Sequence, residues 1–141
     1  MIIKTIEKEK IAGSELAIEY AKRESAVLTR LEHPNIIKVY HTAETETQFL
    51  IFMEYAGFGS NYLSKKVLLN QKAVREDKLQ CWAQDVLFAL SYIHERGVVH
   101  NDIKIDNILI QSQPEEGCQQ EDEDELPVAK VIDFGLCNVV A

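Results

Sequence analysis

The sequence predicts an α+β fold in which strands come first and helices later. Three observations carry that expectation. Short apolar or alternating runs fill residues 2–6, 36–42 and 48–55. The stretch Lys78 to Glu95 keeps its apolar residues on one helical face. After it come only brief apolar runs, at Val98-Val99, Ile108 to Ile110 and Val128 to Ile132, each flanked by polar loops.

Taken in order, Ile2 to Ile6 alternates around Lys4 and suits a short strand. A helix is expected from Ser14 to Leu31, with Ser14 as its N-cap after Gly13. Leu16, Tyr20, Val27, Leu28 and Leu31 share one face of it, and Glu24 falls on that same face. A carboxylate on an apolar stripe needs a partner or a route to water. His33-Pro34-Asn35 breaks the helix, and the polar turn Glu44 to Thr47 joins the next two strands. In the second helix, Leu79, Trp82, Ala83, Val86, Leu87, Leu90 and Ile93 follow helical spacing, and Gly97 ends it.

At 141 residues the chain can bury one core, and its 46% hydrophobic and 27% charged residues fit an ordinary globular domain. No apolar run reaches bilayer length, and Met1 to Thr5 lacks the basic and apolar regions of a signal peptide. The expected compartment is intracellular, the cytoplasm first, with the nucleus left open. Cys81, Cys118 and Cys137 form no CxxC pair, so three free thiols are expected rather than a disulfide framework or zinc site. The net charge of −8 is concentrated. Seven acidic residues and no Lys or Arg lie between Gln111 and Pro127, which leaves the rest of the chain close to neutral. That self-repelling insertion, 111–127, reads as a solvated loop and argues against nucleic-acid binding.

The chemistry concentrates in two places. Asp102, Lys104 and Asn107 lie in a loop between apolar runs, and a second apolar run leads into Asp133-Phe134-Gly135. An ordinary surface loop would account for any one of these residues, but poorly for the second run ending at another Asp. Phosphoryl transfer needs a positioned hydroxyl, a held magnesium ion and neutralised negative charge, and these side chains supply such groups.

His100-x-Asp102-x-Lys104-x-x-Asn107 resembles the protein-kinase catalytic loop, and Asp133-Phe134-Gly135 resembles that family's magnesium-binding motif. The resemblance runs from the strand of Lys4 to the end of the chain. It implies a protein-kinase-like fold truncated at both ends. Residues 1–56 would form a partial N-lobe sheet with one helix and the hinge. Residues 57–141 would begin the helical C-lobe, with the catalytic loop, the acidic insertion and the Asp-Phe-Gly motif. It further implies an ATP- and magnesium-dependent Ser/Thr protein kinase, with ATP and a protein substrate as partners; that neither nucleic acid nor membrane is expected follows from the acidic segment and the lack of a bilayer-length apolar run. It says nothing of oligomeric state.

By the same resemblance, Asp102 takes or orients the proton of the substrate hydroxyl and Lys104 neutralises the transferred phosphate. Asn107 and Asp133 ligate magnesium. Lys4 holds the α- and β-phosphates and pairs with Glu24, 20 residues on. Met53 is the gatekeeper, the backbones of Glu54 and Ala56 meet adenine, and Leu109 packs beneath it. Gly57-Phe58-Gly59 is a turn after the hinge, with Ser60 or Asn61 near ribose; it is no phosphate loop, because the third glycine's position holds Tyr62.

The chain also departs from the family. No Gly-rich loop precedes Lys4, and the chain stops six residues after Gly135. These 141 residues alone are therefore expected to turn over weakly or not at all and to expose apolar surface. Ile2 stands where kinases usually carry Ala over adenine. Asn101 replaces the Arg that commonly pairs with a phosphorylated activation loop, so control by such phosphorylation is not expected. The competing reading is a catalytically impaired kinase-like binding or scaffold protein. A small-molecule kinase of the aminoglycoside type shares part of the spacing, but Lys104, Asp133-Phe134-Gly135 and His33-Pro34-Asn35 argue against it.

Overall fold

The computed structural model describes residues 1–56, 75–111 and 127–140. Its first part is a three-stranded antiparallel sheet of β1 (Ile2–Glu7), β2 (Val39–Glu44) and β3 (Gln48–Met53), ordered β1-β3-β2. The central strand β3 alternates as a half-buried strand must, with Phe49, Ile51 and Met53 turned into the core. The register sets Lys4 opposite Ile51 and Ile2 opposite Met53.

Two helices precede β2, where one was expected. The first, α1 (Lys8–Ile11), is a single turn held to the sheet by the bond from the Lys8 amide to the Thr47 carbonyl at 2.8 Å. One turn is too short to show a hydrophobic period. The second, α2 (Glu15–Leu28), is capped by the Ser14 hydroxyl, which accepts from the Ala17 amide at 3.2 Å. It stops three residues before Leu31. Past Leu28 the amides of Arg30 and Leu31 bond three residues back, a tightened final turn. Ala21, Glu24, Val27 and Leu28 form the buried face, whereas Leu16, expected there, is exposed.

Residues 36–42 do not form one strand. Ile36 and Ile37 are almost fully buried and are stitched to a later strand, β6 (Val128–Val131), by a parallel bridge at Val131 and bonds of 3.0 and 2.8 Å. β2 begins only at Val39, where its register with β3 is irregular.

Helix α3 (Glu76–His94) buries Trp82, Ala89 and Ile93. The indole Nε1 of Trp82 donates to the Pro127 carbonyl at 2.7 Å, and the Asp85 carboxylate accepts the Ala129 amide at 2.8 Å, so the helix is tied to β6 by polar as well as apolar contacts. Only part of its predicted stripe is covered: Leu79 and Leu87, with Phe88 beside them, are exposed. Gly97 follows at φ +67°, and a Cβ there would lie 2.6 Å from the Val140 carbonyl oxygen. That close approach lets the short strands β4 (Val98–Val99) and β7 (Asn138–Val139) pair.

β5 (Ile108–Gln111) pairs antiparallel with β6, from Ile108 opposite Val131 to Gln111 opposite Val128. Gln111 is thus a strand residue and not part of the acidic loop, whose remainder, 112–126, lies outside the described residues together with Cys118 and the Gly57–Asn61 turn. This hairpin brings the loop before β5 and the turn after β6 to one end, which is how residues 31 apart come near each other. The main core joins α2, the sheet, α3 and β6 through Leu28, Ile51, Ile93, Val131 and Phe134. Among the described residues no helix is long and apolar enough to cross a membrane.

Candidate active site

Three charged side chains from distant parts of the chain meet at one point. Lys4 on β1 donates from Nζ to Glu24 Oε1 at 2.7 Å and to Asp133 Oδ1 at 2.9 Å. Glu24 is thereby satisfied on its apolar helix face although its side chain is only 3% exposed. Burial pulls the Lys4 ammonium down in pKa, but Glu24 and then Asp133 outweigh it and raise it, so Lys4 stays charged. Burial pushes the Glu24 carboxyl above its ordinary range, against the pull of Lys4. For Asp133 burial acts upward too, yet the Lys4 bond prevails and holds it below the usual carboxylate range. The contact between Lys4 and Asp133 had no signal in the sequence, since spacing cannot show which strand end a lysine reaches.

Asp133 has φ +60°, in the left-handed region where Asp is better tolerated than most residues. The turn that follows buries Phe134 completely and returns the Cys137 amide to the Phe134 carbonyl at 3.0 Å. Asn101, also left-handed at φ +65°, donates its amide Nδ2 to the Leu136 carbonyl at 3.1 Å. The residue replacing the expected Arg thus holds the turn after Gly135 through a backbone carbonyl.

The loop before β5 assembles a second cluster. Asp102 Oδ2 accepts from Lys104 Nζ at 2.7 Å and from Asn107 Nδ2 at 2.9 Å, and the Asp102 carbonyl also accepts Asn107 Nδ2 at 2.8 Å. The Lys104 bond first, and Asn107 after it, hold Asp102 below the ordinary carboxylate range, so it is ionised at neutral pH. Asn107 is buried and its Nδ2 end is turned to Asp102, which makes Oδ1 the end with ligand character.

His100 joins the two clusters. The Asp102 amide donates to Nδ1 at 3.2 Å, so the ring proton sits on Nε2 and is donated to the Ile132 carbonyl at 3.0 Å, one residue before Asp133. The ring also meets Phe134 edge-on, with centroids 4.7 Å apart. Sequence inspection located His100 only as part of a motif; its bridging role required the fold. Burial holds its imidazole below the ordinary histidine value, against the Ile132 bond and the nearby Asp133 and Asp102. The unfolded chain then binds more protons than the folded one as pH falls through about 6.5, so this histidine removes stability on acidification. His100→Gln is expected to flatten the loss of thermal stability between about pH 7.5 and 5.5; an unchanged slope would contradict the neutral, doubly bonded ring.

Met53, Ala56 and Leu109 are all buried in the main core cluster. The Glu54 amide donates to the Lys38 carbonyl at 2.9 Å, so of the Glu54 backbone groups the N–H is already engaged. Ile2, opposite Met53 on the sheet, is 41% exposed. Two further contacts escaped sequence inspection: a pair of the buried Lys130 with the partly buried Glu54 at 2.7 Å, and Arg23 Nη1, which donates to Asn138 Oδ1 at 2.5 Å. Lys130 could have been noticed as the one charge inside the apolar run Val128 to Ile132.

Asp133 and Asn107 offer one carboxylate and one amide oxygen. Among the described residues no three His, Cys, Asp or Glu side chains gather as a closed cage. Oxygen donors of this kind are the ones that magnesium takes.

Comparison with known proteins identifies the family. The family model described as "Protein kinase domain" matches residues 1–141. The chain is 33% identical over 139 residues to mouse "NUAK family SNF1-like kinase 1", covering 97% of this chain and 18% of that protein. It is 34% identical over 136 residues to "CBL-interacting protein kinase 25" of Oryza sativa subsp. japonica, covering 95% and 24%. With "CBL-interacting serine/threonine-protein kinase 19" of Arabidopsis thaliana it shares 35% over 137 residues, covering 97% and 25%. The chain thus spans about a fifth to a quarter of the length of these relatives. It belongs to the protein kinase domain family.

Proposed function

We propose that this protein transfers the terminal phosphoryl group of ATP, with magnesium, to Ser or Thr hydroxyls of a protein substrate. The observation that carries the proposal is Lys4, bonded at once to Glu24 and Asp133. Three residues remote in sequence place one cation between two carboxylates beside a second polar cluster, which a structural ion pair does not require.

Asp102 is ionised and within reach of both Lys104 and Asn107, which suits it to accept or orient a hydroxyl proton. Lys104 Nζ stands beside it and would neutralise the transferred phosphate. Lys4 is charged and aimed by Glu24, so it can trade its Asp133 contact for phosphate oxygens. Asp133 and Asn107 would hold magnesium, which would supply positive charge to offset that of the phosphates. Met53, the Glu54 carbonyl, Ala56 and Leu109 would receive the base. The division into lobes near residues 56 and 57 belongs to the same proposal. The scaffold alternative gains nothing from Asn101, because that side chain holds the Leu136 carbonyl itself.

Calorimetry with ATP in magnesium and in EDTA tests the proposal. Binding should be tighter with magnesium, and Asp133→Asn should weaken it roughly tenfold or more, since a charge-assisted contact is worth about 1.5–3 kcal/mol. Equal affinity with and without magnesium, unaffected by Asp133→Asn, would overturn it.

A further inference from the structure

Strand β6 is apolar apart from one lysine, and that lysine is buried. The side chains of Lys130 and Glu54 are only 10% and 15% exposed, and Nζ lies 2.7 Å from Glu54 Oε1. Removing two charges from water costs several kcal/mol per ion, and apolar residues of similar volume often serve stability as well or better. A pair retained at such a place calls for a role other than stability.

The bonds around Glu54 indicate that role. Its Oε1 accepts from Lys130 Nζ and also from the Lys38 amide at 2.8 Å, while its own amide donates to the Lys38 carbonyl at 2.9 Å. Side chain and N–H are therefore both fixed, and the carbonyl is the Glu54 group left outside this network. Lys130 sits three residues before Asp133 on the strand that is bonded to Asn35 and Ile37. The geometry points to Lys130 as a positioning residue for the nucleotide base: through Glu54 it sets the hinge carbonyl relative to β6, the strand that leads into Asp133. This inference rests on the nucleotide site proposed above.

The test compares ATP with inorganic tripolyphosphate, both with magnesium, on the wild type and on Lys130→Met and Lys130→Arg, with thermal midpoints measured alongside. Lys130→Met should weaken ATP binding about tenfold, the scale of one misplaced hydrogen bond, and leave tripolyphosphate binding within about twofold. Lys130→Arg should recover most of the loss. Parallel weakening of both ligands, or no weakening of ATP, would overturn the inference. If Lys130→Met fails to fold, Glu54→Gln, which keeps the shape but replaces the ion pair with a weaker neutral acceptor, should show a smaller loss confined to ATP, and a parallel loss or none would again overturn it. A wild-type protein with no preference for ATP over tripolyphosphate would instead remove the base site itself, a separately visible failure.

Discussion

Asp102→Asn is expected to cut phosphoryl transfer by the natural protein about 10²–10⁴-fold, the usual contribution of a positioned general base. Its affinity for ATP and its thermal stability should change little. The substitution keeps the size of the side chain and one oxygen, and it leaves the Asp102 amide bonded to His100 and the Asp102 carbonyl to Asn107. What it removes is the ionised oxygen that Lys104 and Asn107 both face. Steady-state kinetics at saturating ATP provides the check. A fall in turnover of less than about tenfold would mean that Asp102 is not the group that handles the hydroxyl proton.

The largest structural effect is expected at Phe134. Phe134→Ala should cost about 3–5 kcal/mol, the range for truncating a fully buried aromatic ring. The ring has no exposed surface, closes the main core and packs edge-on against His100. Typical domains are stable by only about 5–15 kcal/mol, so the loss would consume a large share of that margin. Phe134 also separates Asp133 from Gly135, so an emptied site would loosen the Lys4–Asp133 contact as well. Phe134→Leu, which retains more of the volume, should cost much less. Urea titration of both variants gives the answer, and a cost below about 1 kcal/mol for Phe134→Ala would contradict the packing described.

Much of this was legible in the residues because the relevant signals are local. Ser14 announced the start of α2 and Gly97 the end of α3, and the apolar run Phe49 to Met53 announced β3, though not which of its faces is buried. Glu24 on an apolar stripe asked for a cation, and Lys4 supplies it. Other features depended on contacts between distant segments. Leu79 and Leu87 follow helical spacing as well as Ile93 does, yet they are exposed, because periodicity identifies a face and not what covers it. Ile36 and Ile37 look like the start of β2, but their partner is Val131 in β6. The short strand β7 has too few residues for any period, and its pairing with β4 depends on the absence of a side chain at Gly97. In the site, the side chains of Asp102, Lys104, Asn107 and Asp133 could be named from their motifs. The bonds from His100 to Ile132, from Lys4 to Asp133 and from Lys130 to Glu54 could not, since each joins residues that only the folded chain brings together.

The most direct measurement is transfer from γ-labelled ATP to a mixed protein substrate, followed by phosphoamino-acid analysis, with the natural protein and Asp102→Asn run side by side. Label on phosphoserine or phosphothreonine, dependent on magnesium and lost with Asp102→Asn, is the predicted result. No label from the natural protein, or label that persists undiminished in Asp102→Asn, would contradict the assignment of this site to phosphoryl transfer.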